Sequence, residues 1–127
     1  MQLVDVMGDA VRLQGRVRPA ALACSAGGRD ISFEGLDQRA SRIANGLIAA
    51  GCRPGARIAA LTRNIPEFIE ILCGSRKSAT VLRPVNWRLA PGEVRYILEH
   101  AQVEAMFVEE DLLPNLHVFR DRADAGA

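Results

Sequence analysis

Lysine is almost missing from this sequence: Lys77 is the only one, and arginine carries the remaining positive charge. That bias reads as coding preference rather than as selection for guanidinium chemistry. Net charge is missing too. Sixteen basic residues stand against fifteen acidic ones, for a formal charge of +1. Such a balance creates no field to draw in nucleic acid or an anionic membrane, so neither is an expected partner. No apolar run approaches the roughly 20 residues that span a bilayer. The first residues have no basic segment ahead of an apolar stretch, and Asp5 and Asp9 interrupt what would be that stretch. A secretory leader is therefore not expected, and the expected location is the cytoplasm. Cys24, Cys52 and Cys73 are the only cysteines, an odd and widely spaced set. That excludes a disulfide framework and a Cys-x-x-Cys zinc site. The three are expected as small buried hydrophobes of a reducing compartment.

What is present suits one compact α/β unit over residues 1–127. Half of the chain is hydrophobic and a quarter is charged, enough for a real core. Leu3, Val4, Met7 and Val11 predict a short amphipathic helix over residues 3–15. A short apolar run over residues 20–24 leads to a turn cluster at residues 26–30, with a return strand at 31–33. Leu36, Ala40, Ile43, Ala44 and Leu47 fall on one helical face, with Ser32 as N-cap and Gly51 as the left-handed stop. Residues 57–61 read as a buried strand. Asn64, Pro66 and Glu67 have the form of a helix start. That helix is expected to bury Phe68, Ile71 and Leu72 and to end near Lys77. Thr80–Leu82 predicts a strand ended by Pro84. Pro91 opens a helix with Val94, Ile97 and Leu98 inward, and residues 105–108 form a last strand. Alternation from residue 32 to 108 predicts a partial parallel sheet flanked by helices with right-handed crossovers.

Five phrases, in order, resemble the opening region of AMP-forming acyl-CoA synthetases. They are Ser32-Phe33-Glu34-Gly35-Leu36 leading into residues 39–47, Gly51 through Ala59, Asn64-Ile65-Pro66-Glu67-Phe68, Lys77 through Leu89, and Glu93 through Leu98. The similarity covers residues 19–113. It implies an N-terminal piece of the large domain of an AMP-dependent synthetase. Four positions depart from the family pattern. Gly35 replaces a glutamate and removes the reciprocal capping box. Ala56 replaces an aspartate. Ala79 stands where the family has glycine, and is strained if the position needs positive φ. Arg83 occupies a slot expected to be apolar and buried, where an unpaired guanidinium is expensive.

The resemblance implies ATP, Mg²⁺ and CoA as cofactors of the parent family, with a carboxylic or fatty acid activated to an acyl-adenylate and then to acyl-CoA. That chemistry needs a Gly/Ser/Thr-rich loop ending in Pro-Lys-Gly, cations facing pyrophosphate, an acidic ribose ligand and a lysine from a C-terminal domain. None stands in these residues, so no catalytic, cofactor-binding or metal residue is assigned and no complete ligase activity is expected of the chain alone. Gly74-Ser75-Arg76-Lys77-Ser78 lacks the glycine placement of a phosphate loop and falls at a helix end, where Arg76 and Lys77 suit the dipole. His100 and His117 have no nucleophile beside them and are expected at caps or on the surface. Glu109-Glu110-Asp111 follows a strand but lacks metal-ligand spacing, and is expected as a solvated turn. Trp87 and Arg88 are expected to pack as scaffold. The missing remainder of a synthetase is the expected partner, with self-association through an exposed sheet edge. Two alternatives stay open: a complementing subunit of a split ligase, and a non-catalytic α/β interaction module.

Overall fold

The computed structural model describes residues 6–63 and 65–116. Leu3, Val4, Asn64 and His117 therefore lie outside the described residues. The described residues open with α1 (Val6–Val17) and an antiparallel hairpin, β1 (Leu22–Ala26) with β2 (Arg29–Ser32). Only Gly27 and Gly28 make the turn, both at positive φ. The expected turn cluster is therefore shorter than residues 26–30, and the return strand starts two residues early, at Arg29.

Next comes α2 (Phe33–Ala49), which begins as its sequence predicts. Ser32 is the N-cap, and its Oγ accepts from the Gly35 N–H at 3.1 Å. Leu36, Ala40, Ala44 and Leu47 are buried along one stripe. Then β3 (Arg57–Leu61), α3 (Pro66–Lys77), β4 (Val81–Val85), α4 (Pro91–Ala101), β5 (Ala105–Val108) and a 3-10 helix (Glu110–Leu116) follow in order. The three later strands form a parallel sheet in the order β4-β3-β5. The connection through α3 moves one way across the sheet and the connection through α4 moves back. Right-handed crossovers in opposite directions place their helices on opposite faces. Ile58 accordingly packs with Leu47 of α2, while Ala59 and Leu61 pack with Val94 of α4 and Leu112. A separate cluster of Val11, Ile31, Leu36, Ala40 and Cys73 joins α1 and the hairpin to the outer side of α2 and α3.

Several expectations are corrected. The N-cap of α3 is Ile65, with no side-chain cap bond. Glu67 is one residue too early in the helix to close a capping box; it binds Arg29 instead. Phe68 and Leu72 are only half-buried. The buried stripe is Glu70, Ile71, Cys73, Gly74 and Ser75, because α3 packs chiefly against α2 and α1, with lesser contact to β1, β3 and β4. Pro84 lies inside β4 rather than ending it. An edge strand tolerates the missing N–H. Arg83 is exposed on that same edge strand, so no desolvation cost arises.

The turn from α3 to β4 holds Ala79 at φ 57°, the left-handed region that the departure from glycine had brought into question. A hydroxyl cluster keeps it there. Ser75 Oγ and Thr80 Oγ1 lie 2.8 Å apart, Ser78 Oγ donates to the Gly74 carbonyl at 3.1 Å, and the Thr80 N–H reaches the Ser75 carbonyl at 3.0 Å. Left-handed backbone costs an L-residue about 1–2 kcal/mol. Ala79→Gly is thus expected to stabilise the fold by about 1 kcal/mol, after allowing for glycine's unfolded-state entropy. Thermal melts would register a rise of about 4–8 °C. An unchanged or lower Tm would mean that the hydroxyl cluster has already removed the strain.

Candidate functional site

In open α/β sheets, ligands meet the crevice outside the carboxyl ends of the strands, where the strand order reverses. Here that point lies between β3 and β5. A cavity of about 580 Å³ opens there, with Thr62, Phe107, Val108 and Glu109 from the strand ends and Ile65 and Ile71 from α3 and its entry. Glu67, Glu70 and Glu110 complete its polar lining. A second cavity of about 470 Å³ lies at the ends of β3 and β4, and holds Thr62, Arg63, Asn86, Trp87 and Arg88.

The residues between them are tied together by charge. Arg63 donates through Nε to Glu109 at 3.0 Å, and its backbone N–H donates to the same carboxylate at 2.9 Å. Its Nη2 also reaches Asp111 at 2.9 Å. Arg63 lines one cavity and Glu109 the other, so this pair staples β3 to β5 across the crevice. The Arg63 side chain holds the Glu109 carboxyl below the usual carboxylate range, with help from its backbone N–H. The same contacts raise the guanidinium above its ordinary value. The Glu109 side chain is only 13% exposed, which corrects the expectation of a solvated acidic turn at that residue, whereas Glu110 and Asp111 are exposed as expected.

Glu70 is the second anchor. It is buried, accepting from Arg39 Nη1 at 2.9 Å and Arg29 Nη2 at 3.3 Å, while Arg29 Nη1 also donates to Glu67 at 2.8 Å. Burial pushes the Glu70 carboxyl up, Arg29 pulls it back, and the neighbouring Glu67 charge adds to the rise. These four residues link hairpin, α2 and α3. Periodicity had not singled out Arg29 and Glu70, because a carboxylate inside a helix packing face breaks the apolar pattern on which that reading depends.

The two carboxylates act oppositely on stability. A lowered folded pKa means the native state binds fewer protons, so the Glu109 contribution is present above the usual carboxylate range. It is lost as pH falls through the lowered value. The raised Glu70 value works in reverse, favouring the fold on mild acidification and withdrawing that support as pH rises. Glu109→Gln is expected to flatten the acid limb of a Tm-versus-pH curve relative to the parent. Parallel curves would show that the staple does not control acid stability.

The other sequence candidates do not join the crevice as chemistry. Lys77 is buried at the end of α3, bonded to Asp37 and, at 2.9 Å, to Ser41 Oγ on α2. It is a helix-to-helix tie, which exceeds the dipole role expected of it. Burial raises the Cys73 thiol, partly offset by Lys77, which leaves it an unreactive core group. His100 stacks on Tyr96 with ring centroids 4.1 Å apart at the end of α4. Trp87 is exposed, with the Arg88 guanidinium 5.2 Å from its ring centre, rather than packed as scaffold. Among the described residues, no group of three or more His, Cys, Asp or Glu stands close enough to hold a metal ion. No described helix is long and apolar enough to cross a membrane.

The model of the AMP-binding enzyme family matches residues 11–126. The chain belongs to that family. A fatty acid–[acyl-carrier-protein] ligase of Streptomyces coeruleorubidus is 42% identical over 96 residues, which is 76% of this chain and 18% of that protein. A feruloyl-CoA synthase of an Amycolatopsis species is 40% identical over 83 residues, covering 65% of this chain and 17% of that protein. Among solved structures, a fatty acyl-CoA synthetase of Mycobacterium tuberculosis superposes with a TM-score of 0.84 at 28% identity, over 90% of this chain and 23% of that one. The chain thus spans about a fifth of the length of the relatives it matches. This AMP-binding family chain has the mixed α/β architecture of those relatives, with its parallel sheet between helices. The family resemblance stands, and the family match extends beyond residues 19–113 at both ends.

Proposed function

We propose that residues 1–127 form a single scaffold unit from the N-terminal portion of an AMP-forming acyl-CoA synthetase. The reaction it serves is ATP-dependent activation of a carboxylic or fatty acid to an acyl-adenylate, then transfer to CoA, with Mg²⁺ on the nucleotide. The scaffold does not perform that reaction alone. The crevice carries this reading. Its larger cavity is lined by four carboxylates, Glu67, Glu70, Glu109 and Glu110, and the nearby arginines Arg29, Arg39 and Arg63 are already bonded to three of them. A triphosphate needs unpaired amides and cations, and this lining offers it repulsion. The expected compartment is the cytoplasm.

A second reading is favoured by one observation: among the described residues, β4 and β5 are both edges of the three-stranded sheet. Open edges invite strand addition. They suit a complementing piece that supplies the phosphate loop and the C-terminal catalytic lysine, and they also suit self-association. A non-catalytic interaction module would need those edges covered. ATP–pyrophosphate exchange over a panel of carboxylic acids tests both readings. The chain alone is expected to give background exchange and concentration-dependent sedimentation. Co-expression with the remaining four-fifths of a relative is expected to restore exchange if the chain acts as a complementing piece. Exchange by the chain alone would overturn the scaffold reading, and a monodisperse monomer that melts cooperatively would overturn the open-edge argument.

A further inference from the structure

The other end of the sheet carries a feature that the scaffold reading does not use. Arg83, the charge in a slot expected to be apolar, stands in register with Ala59, two residues beyond Arg57 on β3. Registered residues of a parallel pair share a face, as do residues two apart on a strand. Arg57 and Arg83 therefore rise from the same face as Ala59, which is the face that α4 covers. Strand spacing and rise put their Cα atoms roughly 8 Å apart. The end of α4 brings His100 beside them. Together Arg57, Arg83 and His100 line a cavity of about 360 Å³, whose remaining walls are Val81, Leu82 and Ala101. No carboxylate lines it.

We propose that Arg57, Arg83 and His100 form a site for a small phosphate-type oxyanion at the amino end of the β3–β4 pair. Three facts carry the assignment. Among the described residues, Arg29, Arg39, Arg63, Lys77 and Arg95 are all engaged in ion pairs, whereas neither Arg57 nor Arg83 is in one. Arg57 is held in place, because its Nη1 donates to the Ala101 carbonyl at 3.1 Å. That bond uses one of five donors and quiets the carbonyl that would otherwise repel an anion at the helix end. Finally, two guanidiniums converging on a concave, carboxylate-free space match the planar donor forks that bind tetrahedral oxyanions. His100 adds an N–H donor in either protonation state. The occupant is a phosphate group, carried as free orthophosphate or as the terminal group of a small ester.

Equilibrium dialysis of the chain against radiolabelled orthophosphate, and separately against glycerol phosphate, tests this at fixed ionic strength. Saturable binding of one equivalent is expected for at least one of the two, and comparison of their Kd values assigns the free ion or the ester. Arg83→Ala is expected to weaken binding about tenfold or more, the value of one charge-assisted contact. Arg83 is exposed on an edge strand, so the substitution leaves the core untouched. Arg95→Ala, which removes the same charge outside the cavity, is expected to leave Kd unchanged. Non-saturable uptake of both ligands, or equal weakening by Arg83→Ala and Arg95→Ala, would overturn the site and leave only general charge screening.

Discussion

Gly74→Ala is expected to lower the melting temperature by about 10 °C or more, a loss of about 2–4 kcal/mol. Taken as a helix substitution alone, it should help, since alanine is favoured over glycine by about 1 kcal/mol in a helix interior. Position 74 reverses that sign. A Cβ there would stand 2.6 Å from Cγ2 and 2.7 Å from Cβ of Ile43, and 3.0 Å from the carbonyl oxygen of Ala40. The Ile43 branch is fixed close to the α2 backbone, so α2 and α3 must separate. Separation opens the packing around Ala40 and Cys73, both buried in the cluster beneath. Gly46→Ala is the matched control. It lies in α2 with nothing within 4 Å of the added carbon, and is expected to be neutral or to gain up to about 1 kcal/mol. Equal effects at the two positions would mean the helices are not in close contact at Gly74.

Asp37→Ala should cost about 2–4 kcal/mol for a different reason. Lys77 is 6% exposed at its side chain, and its ammonium is answered by Asp37 and Ser41. Removing the carboxylate leaves a buried cation with one hydroxyl for company, and breaking one half of a buried pair is severely destabilising. The figure sits toward the low end of such losses because Asp37 itself is 26% exposed. Lys77→Met in the Asp37→Ala background is expected to recover most of the loss, since it removes the orphaned charge and keeps an apolar stem. A double-mutant cycle from chemical denaturation decides the matter. Strict additivity would show that the two residues are not coupled.

Both predictions turn on α3, the element whose neighbours the sequence left least legible. Its start and length were readable from Pro66 and Lys77. Of its buried face only Ile71 was, because Glu70, Gly74 and Ser75 are not residues that a search for apolar periodicity selects. Glu70 is tolerated inside only because Arg29 arrives from a hairpin 41 residues away and Arg39 from a helix 31 residues away. The candidate crevice was partly legible. The acidic run after the last strand marked the right place, but its pairing with Arg63 spans 46 residues and two strand ends.

Local chemistry was enough to place α2, with its Ser32 cap and an apolar stripe of which all but the half-buried Ile43 are buried, and to give the helix–strand alternation that makes the sheet parallel. It was also enough to flag Ala79 as a strained position and to carry the family resemblance. Those features depend on residues within a few turns of one another, where spacing alone fixes geometry. Only the tertiary structure decided the strand order β4-β3-β5, the exposure of Arg83, the burial of Glu70 and Lys77, and the staple between Arg63 and Glu109. Each of these is set by which distant surface arrives to cover a residue, and a charge's solvation and partner exist only once that surface is in place.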